Sequence, residues 1–158
     1  MDDQAVVSWQ LGRPARPFRG VARRCPYGFP AVTEQAPYDP DGSPFPTTFY
    51  LTCPWLVAGL ARHEAAGGVK AWTERAASEP ELAASLERAN VEQRRIRPEL
   101  DSGIAGTRNG TLKCLHAHAA FALARPGYEL GERIVADVGD TWCPDGRCAT
   151  APGAKRGA

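Results

Sequence analysis

The chain has 158 residues, enough for one domain with a real core and too few to divide comfortably into two. Lys and Arg number 19 against 18 Asp and Glu, a formal net charge of +1, which excludes a strong overall field toward nucleic acid or a membrane surface. No apolar run approaches the length of a bilayer span, and Met1–Val7 opens acidic without the basic-then-apolar pattern of a secretory signal. The chain therefore reads as cytoplasmic. Its 5 cysteines, an odd number in a reducing compartment, read as free thiols, metal ligands or catalytic groups rather than a disulfide framework.

In chain order, residues 1–20 carry Gly12-Arg13-Pro14-Ala15-Arg16-Pro17, a turn-forming segment expected to be loosely held. Val21–Cys25 predicts a short strand stopped by Pro26 and Gly28. Ala31–Gln35 and Thr47–Thr52 are β-branched or aromatic runs on either side of the turn Asp39–Pro44, so a long-looped hairpin near 30–52 is expected. A helix starts at Cys53-Pro54, since proline suits the first helical position, and stops at Gly67-Gly68. A second runs from Val69 to about Ala77. A third, Glu79-Pro80 to about Arg97, bears the stripe Leu82, Leu86, Ala89, Gln93 and Ile96 beside a charged, solvated face. Pro98 ends it. After the glycine-rich stretch Gly103–Gly110, Thr111 is a plausible cap for a helix to about Ala124, and Gly131–Val138 is a short helical or extended piece. The expectation is an α+β fold, a small irregular β layer on about four helices, as one domain over 21–140. The tail, 141–158, carries the Cys143/Cys148 pair and is expected to be mostly disordered.

The chemistry concentrates in Lys113-Cys114-Leu115-His116-Ala117-His118, which holds two of the three histidines. Residues four apart on a helix share a face, so Cys114 and His118 can converge on one ion, while His116 points to nearly the opposite side, toward another partner, or exchanges roles with His118 if the helix starts later. A tetrahedral zinc or an iron–sulfur cluster needs further ligands, and Cys25 and Cys53, at strand ends, are the candidates. Buried, inert cysteine is the competing explanation for each of them. Cys53 has another reading as a helix-end thiolate, a nucleophile with His116 or His118 as base. Gly106, Arg108, Gly110 and Lys113 precede or open a helix and suit a phosphate or carboxylate, although no dinucleotide or P-loop spacing is present. His63-Glu64 reads as a surface helix position rather than an acid–base pair, and Cys143/Cys148 as exposed thiols on the tail, with a metal-knuckle half-site or a redox pair as the alternatives.

The strings Cys25-Pro-Tyr-Gly-Phe-Pro30, Pro44-Phe-Pro-Thr47, Leu51-Thr-Cys-Pro54, Gly103–Gly110 and Lys113–His118 resemble those of an uncharacterised, largely actinobacterial family. It is the domain-of-unknown-function family five-hundred-and-one, and the likeness covers roughly residues 20–135. The resemblance implies no established activity. It implies only a gene neighbourhood shared with a septum-formation protein and a polyphosphate-degrading phosphatase. The leading expectation is a metal or iron–sulfur centre on Cys25, Cys53, Cys114 and His118, with an anionic small molecule at the glycine-rich loop. The alternative is a non-enzymatic interaction module in cell division or envelope processes, its protein partner unknown. Nucleic acid is not expected, for want of basic excess or an aromatic platform.

Overall fold

The computed structural model describes residues 1–108 and 111–155. Three antiparallel strands, β1 (Phe18–Arg24), β2 (Pro30–Gln35) and β3 (Phe49–Leu51), form one sheet in that order. β2 and β3 are the expected hairpin, paired Val32 to Leu51 and Thr33 to Tyr50. β1 pairs with β2 through several register shifts, the local irregularity that bulges impose.

The helices that follow are α2 (Pro54–Ala65), α3 (Gly68–Ser78), α4 (Pro80–Ile96), α5 (Leu115–Ala124) and α6 (Glu129–Asp137); α5 packs on the sheet, chiefly on β3, with α2 and α6 against it and α3 and α4 beyond them. Pro54 and Pro80 open α2 and α4 at the positions proline favours, and Gly67, at φ 89°, gives the chain its turn into α3. The α4 stripe is buried as expected at Leu82, Leu86, Ala89 and Gln93. α5 is the central helix. It is covered on nearly every side, with Leu115, Ala117–Ala120, Phe121 and Ala122 all buried, which explains why its sequence shows no polar face. Phe121 meets Phe49 of β3 edge-on at 5.5 Å and Tyr128 at 5.8 Å, tying sheet, α5 and the start of α6 into one core.

The α+β class is as expected, with more helix than expected at the ends. Residues 1–20, expected to be loose, contain α1 (Asp3–Leu11), capped by the Asp2 side chain, which accepts from Ala5 N at 3.1 Å. The tail, expected to be mostly disordered, is ordered as far as residue 155 and makes a 3-10 turn at Arg147–Thr150. The reason is that the two ends bury each other. Val6 of α1, Phe29, Cys148, Ala151 and Ala154 make a second, smaller core, and Asp2 N donates to Gly153 O at 2.8 Å. Neither segment has enough apolar surface alone. No helix among the described residues is long and apolar enough to cross a membrane.

Candidate functional site

Four of the five cysteines line one small cavity of about 10 Å³: Cys25, Cys53, Cys143 and Cys148. Three kinds of local device deliver them. Cys25 follows β1 and opens the tight turn Cys25-Pro-Tyr-Gly28, closed by Gly28 N donating to Cys25 O at 2.9 Å, with Gly28 at φ 89°. Cys53 is the N-cap of α2. Cys143 opens Cys143-Pro-Asp-Gly146, with Gly146 at φ 57°, and Cys148 sits on the 3-10 turn that follows. The two Cys-Pro-x-Gly turns pack on each other. Tyr27 of the first lies against Gly146 of the second, where an added Cβ would fall 3.0 Å from the ring, and the Tyr27 hydroxyl donates to Cys143 O at 3.1 Å. Trp55 Nε1 donates to Asp140 O at 2.7 Å, and Arg147 stacks over the Trp55 ring, which holds the tail to the start of α2.

Burial pushes the Cys53 and Cys148 thiols up from their ordinary value. The helix-end N–H groups of Leu56 and Trp55 oppose this at Cys53, as does the Gln10 amide at Cys148, and the neighbouring sulfurs add to it at both. A free thiolate is therefore disfavoured here. No histidine lines this cavity among the described residues, so Cys53 lacks the base its nucleophile reading required.

The expected ligand set is divided among three places. Cys25 and Cys53 are in this cavity. Cys114 and His116 line a separate groove on the other side of Gln10 and Pro54. His118 is in the main core. The physical reason is the start of α5: the cap is Cys114, not Thr111, and its sulfur accepts from Ala117 N at 3.4 Å. Cys114 thus stands outside the helix, and the four-residue spacing no longer aligns it with His118. His116 has both ring nitrogens engaged, Nδ1 at 2.7 Å from Glu64 Oε1 and Nε2 at 3.2 Å from Val57 O. Burial, aided by the Glu64 charge and opposed by the Ala117 N–H, pushes the Cys114 thiol up. As the side chains stand, no group of three or more His, Cys, Asp or Glu among the described residues could hold a metal ion.

His118 is wholly buried, with Nδ1 at 2.8 Å from the Tyr128 hydroxyl and Nε2 unpartnered. Burial pulls its imidazole down to about 4 from 6.5 and pushes the Tyr128 phenol up, so both stay neutral at pH 7. The unfolded chain protonates His118 below pH 6.5 while the folded chain does not, so between these values the unfolded state binds more protons. The contribution of this residue to stability is complete above pH 6.5 and is lost as the pH falls to 4, about 3 kcal/mol in all. Urea unfolding across that window is expected to show a shallower loss of stability in His118→Gln than in the unmodified chain. Parallel losses would contradict it.

The glycine-rich loop is occupied with itself. Gly103 N, Gly106 N and Thr107 N donate to Thr107 O, Gly103 O and Ile104 O, and Ile104 N donates to the buried Asn90 Oδ1 at 3.0 Å. Ile104 and Ala105 are buried, Arg108 and Lys113 are exposed, and Gly110 lies outside the described residues. At the start of α5, where an external anion was expected, Glu64 supplies the negative charge: its Oε1 accepts from Leu115 N at 2.9 Å. Glu64 is therefore a positioning residue between α2 and α5, which its place on a helix surface did not reveal. His63 faces Asp137 instead, at 3.4 Å.

The convergence of Cys143 and Cys148 on Cys25 was also missed, although the sequence carries a signal for it: Cys-Pro-x-Gly occurs twice, at Cys25 and at Cys143. Searches of curated proteins and of solved structures found no match. The family model described as protein of unknown function (DUF501) matches residues 21–102. That span includes Cys25 and Cys53 and covers just over half of the chain, which belongs to this family.

Proposed function

We propose that the protein holds one thiophilic metal ion, zinc, on Cys25, Cys53, Cys143 and Cys148, and that the ion fastens both chain ends to the core. The observation that carries this reading is the arrival of four cysteines, from three distant parts of the chain, around one void of about 10 Å³. That volume is about one water-sized sphere, room for an ion and not for an iron–sulfur cube. Four thiolates are a closed, structural zinc set. Two Cys-Pro-x-Gly turns, the N-terminus of α2 and a 3-10 turn present the sulfurs, and the backbone N–H groups at the start of α2 offset part of the burial cost of charge at Cys53 alone. Burial disfavours the Cys53 and Cys148 thiolates, so zinc binding would release their protons, and because the sulfurs as they stand form no ligating group it would also require these side chains to rotate inward.

Elemental analysis and an absorption spectrum of protein purified without oxygen test this. The expected result is one zinc per chain and no visible colour, with the zinc lost in Cys53→Ser and kept in Cys114→Ser. Iron with absorption near ~400 nm would replace zinc by a cluster. Absence of metal, or loss of metal in Cys114→Ser, would overturn the ligand set.

A further inference from the structure

The four cysteines around the small cavity are not equivalent to one another. Cys53 and Cys148 are buried, whereas Cys25 and Cys143 are partly exposed, and all four thiols are free as they stand. A disulfide needs two Cα atoms within about 7 Å of each other, and the sheet removes one pairing. Cys25 N donates to Phe29 O at 2.9 Å and Cys53 N to Ala31 O at 3.2 Å, one arriving from the end of β1 and the other from the end of β3, with β2 between them. Neighbouring strands lie about 4.8 Å apart, so Cys25 and Cys53 are separated by roughly 10 Å, too far to bridge.

Cys143 is turned outward. Its thiol hydrogen-bonds the Asp145 carboxylate and meets Arg147, both on the exposed side of the turn. Cys148 is turned inward, into the small core of Val6, Phe29, Ala151 and Ala154, and Cys25 packs against that same core from the end of β1. Burial holds the Cys148 thiol up, and of the sulfurs that add to this effect Cys25 outweighs Cys143, although Cys143 is far nearer in the chain. Cys53 and Cys148 are both buried, so a pairing of these two leaves an external oxidant no first point of attack.

We propose that Cys25 and Cys148 are a disulfide-forming pair, closed by a small-molecule disulfide, that joins β1 to the tail when no metal holds them. Cys25, the partly exposed member, attacks first: its thiolate displaces one thiol from the small disulfide and leaves a mixed disulfide on Cys25. Cys148 then attacks the Cys25 sulfur, and the second small thiol departs with the proton that Cys148 gives up. Two protein thiols and one small disulfide become one protein disulfide and two small thiols. The loop so closed spans most of the chain, the case in which a cross-link restricts the unfolded state most. The pairing needs no metal; only its competition with zinc, which uses the same two sulfurs, rests on the zinc reading.

The test is a disulfide map of the full chain after treatment with glutathione disulfide, free thiols being alkylated, with and without a chelator. With chelator, the expected product is a single cross-link between Cys25 and Cys148, with Cys53, Cys114 and Cys143 alkylated. Its melting temperature should lie about 10 °C above that of the reduced, chelated chain. Cys143→Ser should form the same link, and Cys25→Ser should leave Cys148 a free thiol. A link from Cys148 to Cys53 or Cys143, a mixture of pairings, or glutathione retained on Cys25 without a cross-link would each overturn the proposal. Without chelator, bound zinc should slow the link about tenfold or more. Equal rates in the two arms would overturn the zinc reading and leave the cysteine pair standing.

Discussion

On the proposed zinc site, Cys148→Ser is expected to abolish metal binding and lower the melting temperature by about 10 °C, a loss of roughly 3 kcal/mol for a chain of this size. Cys148 is buried with Val6, Phe29, Ala151 and Ala154, so the residue belongs both to the proposed metal site and to the small core joining α1 to the tail. Packing loss and ligand loss therefore need separating. A chelator added to the unmodified protein should lower its melting temperature toward that of the variant, while leaving the variant itself unmoved. Cys114→Ser supplies the contrast: serine is a stronger helix cap than cysteine, so α5 should be no less stable and the metal content unchanged. A Cys148→Ser protein that melts with the unmodified chain and retains its zinc would contradict the assignment.

Gly131→Ala is expected to destabilise the fold by about 1–3 kcal/mol, the usual cost of overpacking, even though alanine is the better helix former by up to about 1 kcal/mol. Gly131 is where α6 crosses α5. A Cβ there would lie 2.6 Å from His118 O, 2.7 Å from Ala122 Cβ and 2.8 Å from a ring carbon of Tyr128. The first of these is backbone of the central helix and cannot step aside without moving α5. Gly59→Ala makes a useful comparison, since its closest contact is a methyl of Val138, 2.5 Å from the added Cβ, and a side-chain rotation relieves it. Gly20→Ala meets nothing within 4 Å and should be near neutral. Denaturant unfolding of the three variants should rank Gly131 well above Gly59, and Gly59 above Gly20. A Gly131→Ala protein as stable as the unmodified chain would mean that the two helices separate more easily than their contact suggests.

Much of the fold was legible because local chemistry decides it. Proline at positions 54 and 80 and the glycine pair at 67–68 mark where α2, α3 and α4 begin or end. The α4 stripe predicted Leu82, Leu86, Ala89 and Gln93 on the buried side. The start of α5 was not legible, since Thr111 is a better cap by residue type than Cys114, yet Glu64 from α2 satisfies Leu115 N and sets the boundary from a distance. That shift of a few residues separates Cys114 from His118. The chain ends escaped for a related reason: Val6 and Ala151 gain burial only from each other's segments, about 145 residues apart by position in the chain, and no window of sequence contains both. Cys25 and Cys53 were singled out together and do line one cavity, but the other two cysteines arrive through that same contact between the ends.

X-ray absorption at the zinc edge of the purified protein tests the proposed centre most directly. Four sulfur scatterers at about 2.3 Å, with no lighter atom in the first shell, are the expected result for Cys25, Cys53, Cys143 and Cys148. A first shell containing nitrogen, as the Cys25, Cys53, Cys114 and His118 set would give, or no zinc to measure, would contradict it.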